Sequence, residues 1–172
     1  MELSELMKKR QSVRSFEEKP VSEEDLKMIL ESAYNAPIGR ASYGRYELVV
    51  VNDKEKIKHL STLLSHASAI LKNTFFDAPL VIFVTGKPLR DRLDGCDTGC
   101  LIENMMLMAA SLNLGSCFLY TISEVINGDI ALKRAFNLQD GYSVMSAVVI
   151  GHPKQKDLPN KVRPGIKTTF LN

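Results

Sequence analysis

The stretch APLVIFVTG at residues 78–86 constrains the fold more than any other. Five consecutive apolar residues, Leu80 to Val84, read as a buried strand, and such a strand needs cover from the rest of the chain. Three further runs read as strands: YELVVVN (46–52), SCFLYTI (116–122) and GYSVMSAVVIGHP (141–153). Helical patterns alternate with them. SELMKKR suggests a first helix, with Ser4 as its cap. VSEEDLKMILESAYNAP is a second, with Ser22 as N-cap, three acids in its first turn and Pro37 as its stop. DKEKIKHLSTLLSHASAILKN is a third, with a break expected near Ser65. DGCDTGCLIENMMLMAASLNLG is a long apolar helix closed by Gly115, and SEVINGDIALKRAFNL is helical with Gly128 weakening its middle. Strands alternating with helices give a layered α and β domain around a central sheet.

The chain has 172 residues, enough for one domain with its own core. Its balance of 45% hydrophobic and 24% charged residues argues against disorder. Lys and Arg number 22 against 20 acids, and the cations form no block, so nucleic-acid and membrane partners are not expected. No run approaches a membrane span and the opening lacks a signal-peptide core, so the expected location is the cytoplasm. Cys96, Cys100 and Cys117 read as free, buried thiols. With His59, His66 and His152 isolated, no metal site is expected. The long helix belongs either at the centre of the domain or at a subunit interface, with Met105, Met106 and Met108 as core packing and Asp97 and Glu103 as solvated or capping carboxylates.

Hydrolytic signatures are missing: there is no GxSxG, HExxH or phosphate-binding glycine loop. A GxGxxG fingerprint is missing too, which disfavours a Rossmann-type nicotinamide site. What remains is KRQSVRSF at 9–16. In an extended segment Arg10, Ser12 and Arg14 project from one side, and two guanidiniums flanking a hydroxyl suit a polyoxygen anion. A solvated surface turn accounts for the same residues when the segment stands alone.

The order of elements along the chain resembles the nitroreductase family of FMN-dependent oxidoreductases. The RRSxRxF-like opening stands at Arg10–Phe16, and the E/D-x-L-x-x-I/L-L-x-x-A-x-x-A-P helix covers Leu26 to Pro37. The Ala-Pro strand stands at Ala78–Val84, and the E-N-x-x-L-x-A helix runs from Glu103 to Gly115 into Gly115-Ser116-Cys117. The closing V-x-x-I-G-x-P stands at Val148–Pro153, with Arg163-Pro164 behind it. The resemblance implies an α+β fold: a single three-layer α/β/α domain over 1–172 with a mixed, mainly antiparallel sheet. It also implies a tail from about 153 to 172 that reaches a partner subunit, and a homodimer with FMN at the interface.

By position, Arg10 and Ser12 would contact the FMN phosphate and ribityl chain, with Gln11 adjacent, and Arg14 would approach the ribityl and pyrimidine end. Arg163, with Lys161 beside it, would complete the phosphate clamp. Pro37, Ile38 and Gly39, with Arg40 following, would line the loop presented to the ring by the partner, and Leu119 and Tyr120 would lie near its opposite face. NADH or NADPH would donate the hydride in a ping-pong cycle ending on a small organic acceptor, a nitroaromatic or quinone. The implied chemistry is the cofactor's, so no side chain is assigned as acid, base or nucleophile. The loop Ile38–Tyr46, IGRASYGRY, departs from the family's S-x-x-N-x-Q-P-W, and the P-x-G-E-like loop after the third strand is replaced by TISEVINGD. These departures leave two alternatives: a specialised reductase or flavin-processing enzyme of the same fold, and a flavin-carrying protein without turnover.

Overall fold

The central strands are apolar on both faces, and the rest of the chain is arranged to cover them. A computed structural model describes residues 2–89, 93–155, 159 and 163–171. Strands β1 (Tyr46–Val51), β2 (Leu80–Gly86), β3 (Gly115–Leu119) and β4 (Ser143–Gly151) form one sheet in the order β1-β2-β4-β3. All its strand pairings are antiparallel. The parallel component of the mixed sheet expected from sequence reduces, among the described residues, to one bridge between Ser12 and Ser116.

Side-chain alternation along β2 and β4 divides the core in two. Val81, Phe83, Ala147 and Val149 face α3 (Lys54–Ala67), α5 (Ile122–Gly128) and α6 (Ile130–Ala135). Leu80, Ile82, Val148 and Ile150 face α2 (Glu23–Tyr34) and α4 (Leu93–Ser111). The result is helix layer, sheet, helix layer. The β2–β4 register shifts so that Val84 pairs with Ser146 and Thr85 with Val144. The bulge at Met145 returns Val144 to the same core as Ala147 despite their odd spacing. A short α1 (Leu3–Lys9) precedes the layers and rests on α4.

Five boundaries differ from the sequence reading. Glu2, not Ser4, precedes α1, and no side chain caps it. The third helical run ends at Ala67, with Ser68 extended before a short 3-10 turn, rather than breaking at Ser65. α4 ends at Ser111, and the chain reverses at left-handed Asn113 (φ 60°), so Gly115 belongs to β3. β3 stops at Leu119, and Ile122 starts a helix instead of ending a strand. The segment around Gly128 splits into α5 and α6 because Asp129 caps the second helix, its carboxylate accepting from Ala131 N at 2.7 Å and Leu132 N at 3.2 Å. Ser22 caps α2 as expected, accepting from Asp25 N at 3.0 Å.

Phe83 is the hub of the first core. It is fully buried and meets Phe75 and Phe136 edge-on at 6.0 and 5.0 Å between ring centroids. Phe83→Ala is expected to lower the unfolding free energy by about 3–5 kcal/mol in urea titration. A loss below about 1 kcal/mol would contradict this packing.

Candidate functional site

The segment carrying KRQSVRSF is fastened to the sheet by its backbone. Val13 N donates to Ser116 O at 2.8 Å, Glu17 N to His152 O at 2.8 Å, and Lys154 N to Ser15 O at 3.1 Å. Val13 and Phe16 are buried beneath it, so the polar residues between them are held at fixed positions along β3. Gly115 allows the approach: a Cβ there would lie 2.8 Å from the Val13 side chain.

Arg10 and Gln11 face a cavity of about 400 Å³ shared with Lys9, Ser116, Pro153 and Pro159. Gln11 is 8% exposed and donates from Nε2 to Pro159 O at 3.3 Å. Arg10 pairs through Nε with Glu103 at 3.3 Å, and Lys9 donates to Asn113 Oδ1 at 2.7 Å. Arg163 reaches back 153 positions to donate to the Arg10 carbonyl. The structure thus brings together Arg10, Gln11 and Arg163 from opposite ends of the chain. Lys161 lies outside the described residues.

Ser12 and Arg14 do not border that cavity. They lie beside Cys117 on β3. Burial pushes the Cys117 thiol up from its ordinary value, with the Arg14 charge and the Ser12 hydrogen bond pulling the other way. The guanidinium carbon of Arg14 lies 6.0 Å from the centroid of the Phe76 ring. Leu119 is buried in the core, and Tyr120 after it is exposed.

The loop from Pro37 to Arg40 is held near the opposite end of α4. Gly39 N donates to Asp97 Oδ1 at 2.9 Å, and Tyr46 Oη to Asp97 Oδ2 at 2.9 Å. Arg45 donates to Asp94 at 2.6 Å and to Lys87 O at 3.1 Å, and Leu89 N also donates to Asp94, at 2.6 Å. Tyr43 Oη ties to Ala36 O at 2.9 Å. Ile38 is buried, while Pro37 and left-handed Arg40 (φ 58°) are exposed. From Asp97 to Ser111 the axis of α4 advances about 20 Å, so the loop and the Arg10 cavity occupy separate ends of one helix.

Two sequence expectations are corrected here, those for Asp97 and for the cysteines of α4. Asp97, expected to be solvated or capping, is 3% exposed and bonds the loop to strand β1. Glu103 is exposed, as expected of a solvated carboxylate, and also pairs with Arg10. Cys96 is exposed and Cys100 half-buried, because Cys96 falls on the outer side of α4; only Cys117 is buried. The Asp94–Asp97 pairing with Arg45 and Tyr46 has no local signal, since partners 48 to 58 positions apart are joined only by the fold.

Comparison with known proteins gives the class and then the family. A crystal structure of a nitroreductase with bound FMN from Bacteroides fragilis NCTC 9343 matches with a TM-score of 0.85 over 99% of this chain and 98% of that one, at 24% identity. An FMN-dependent nitroreductase from Clostridium difficile R20291 is 27% identical, with a TM-score of 0.72 over 88% of each chain. A relative from Archaeoglobus fulgidus, provisionally named an NADH dehydrogenase/NAD(P)H nitroreductase, is 28% identical over 86% of this chain and 83% of its own length. The nitroreductase family profile matches residues 7–68 and 45–152, and the chain belongs to the nitroreductase family of FMN-dependent oxidoreductases.

Tyr46 gives the loop attachment a pH signature. Burial, then the hydrogen bond to Asp97 and its charge, push the phenol well above its ordinary value of 10.0. The protonated form is favoured in the fold, so its contribution is complete below pH 10.0 and declines as pH rises above that value. The stability advantage of the wild type over Tyr46→Phe is expected to be about 1–2 kcal/mol at neutral pH and to shrink above pH 10.0 in urea titrations. A constant difference across that range would contradict the Tyr46–Asp97 bond.

Proposed function

We propose that this chain is an FMN-dependent NAD(P)H oxidoreductase that works as a homodimer on a small organic acceptor. The observation that carries the reading is the fastening of residues 12–17 to β3 and to the chain just after β4, which leaves Arg10 and Gln11 at a 400 Å³ cavity with Arg163 drawn to the Arg10 backbone. The donor set suits a phosphate ester: guanidinium, ammonium and amide groups border one cavity. Arg10's carboxylate partner, Glu103, is half exposed, so an anion competes with a weak surface pair.

In this reading Arg10, Gln11 and Ser12 hold the phosphate and ribityl chain, with Arg163 and Lys161 closing the clamp. Arg14 supplies a fixed cation for the pyrimidine end. Pro37, Ile38, Gly39 and Arg40 of one protomer cover the ring bound by the other, which agrees with their separation from the Arg10 cavity within a single chain. Leu119 and Tyr120 border the opposite side. When bound, FMN supplies two-electron transfer from NADH or NADPH to the acceptor in alternating half-reactions. The loop IGRASYGRY selects the acceptor, of the nitroaromatic or quinone type.

Exposed apolar groups support the dimer: Leu3 and Met7 on α1, and Ile166, Phe170 and Leu171 on an extended tail without regular structure of its own. A second copy covers them. No described helix is long and apolar enough to cross a membrane, in keeping with a cytoplasmic enzyme.

The purified chain is expected to carry a flavin absorbance band that bleaches anaerobically with NADH or NADPH. A colourless chain that refuses FMN refutes the reading, and bound FMN that neither nucleotide bleaches leaves a carrier. Arg10→Ala is expected to lose FMN much more readily than Arg40→Ala, and equal retention would refute the clamp. Light scattering is expected to give twice 19.2 kDa, about 38 kDa. A monomer would count against a site shared between protomers.

A further inference from the structure

Phe76 and Asp77 are consecutive residues with left-handed backbone, at φ 54° and 60°, and Asn73 earlier in the same loop is at 53°. For a bulky aromatic residue this conformation is a true outlier, because its Cβ crowds the neighbouring carbonyl. Such residues persist where the surroundings over-determine them, and they concentrate at working parts of a protein. Here the surroundings are explicit. Phe75 is 1% exposed and stands edge-on to Phe83, which anchors the loop in the core. Phe76 N donates to Asn73 O at 3.1 Å, and Ala78 N to Phe75 O at 2.9 Å, closing the turn on both sides. Phe75 is thereby sent into the core, while Phe76, half-buried against the rim of the same core, also lies beside Arg14.

The destination is a cation, the guanidinium of Arg14. Among the described residues Arg14 forms no ion pair with a carboxylate, and it is exposed. Its guanidinium carbon lies 6.0 Å from the Phe76 ring centroid, within reach of the ring's negative face. An aromatic face holds a guanidinium without consuming its N–H donors, which stay free for a ligand in the guanidinium plane.

We propose that Phe76 is a positioning residue: the left-handed turn at Phe76–Asp77 holds its ring against Arg14, so that the guanidinium is aimed before FMN arrives. This rests on the assignment of Arg14 to FMN made above. Phe76 acts through Arg14 and needs no contact with the flavin. Its effect is to reduce the rotamer freedom that a solvated arginine would otherwise lose on binding.

The test is a double-mutant cycle on the dissociation constant of the full chain for FMN, read by quenching of flavin fluorescence. Phe76→Leu is expected to raise the constant about fivefold, the scale of one cation–π contact. Phe76→Tyr, which keeps the ring, is expected to stay near the wild-type value. In an Arg14→Ala background, Phe76→Leu is expected to add nothing. Phe76→Met, which fills the space without a ring, should repeat the leucine result and replaces it if the leucine variant melts early. Equal losses with and without Arg14, or wild-type affinity in both ringless variants, would overturn the role of Phe76 while leaving the flavin site standing. A wild-type chain that binds no FMN would overturn both.

Discussion

The structure depends on one backbone seam, the pairing of residues 12–17 with the edges of β3 and β4. Val13 meets Ser116, Glu17 meets His152, and Phe16 bridges to Pro153 while its ring is fully buried. An N-terminal segment with three cations would otherwise be free to fray. The seam turns it into a rigid edge, with apolar Val13 and Phe16 driven into the core and polar neighbours left where they can meet a ligand. Gly115 is part of the same constraint, because a side chain there would crowd the Val13 side chain and force a shift.

Two polar systems hang on this frame and differ in how far their charges are satisfied. At one end of α4, Asp94 and Asp97 are saturated by Arg45, Tyr46, Leu89 N and Gly39 N. That network holds a loop in place, because every oxygen of the two carboxylates accepts a hydrogen bond, although Arg45 Nη1 is buried without a partner. At the other end Arg10 and Lys9 border an open cavity, and their partners Glu103 and Asn113 are exposed. Arg14, near β3, rests on an aromatic ring instead of a carboxylate. Saturated charges fix geometry; incompletely paired ones are available to an anion.

Much of this was legible in the sequence, for physical reasons that also explain what was not. All four strands and the helices between them follow from local patterns: β-branched runs, three- and four-residue apolar spacing, and the Ser22 cap. Boundaries failed where a side chain overrode a glycine. Asp129 divides α5 from α6 next to Gly128, and Asn113 turns the chain before Gly115 does. The KRQSVRSF cluster was readable as a donor set, but its seam partner Ser116 lies a hundred residues away. The burial of Asp97 was not readable at all, because it depends on Tyr46 and Gly39 arriving from another element. Likewise, nothing in NTFFDAP signals that Phe75 and Phe76 part company through a left-handed turn.

The central claim is that the N-terminal seam grips a phosphate. The most direct measurement is calorimetric titration of the flavin-free chain with FMN and with riboflavin, which lacks that phosphate. The account predicts that FMN binds about 100-fold more tightly, the scale of one or two charge-assisted hydrogen bonds, and that Arg10→Ala removes most of the difference. Equal affinity for the two flavins, or a preference that survives loss of Arg10, would contradict it.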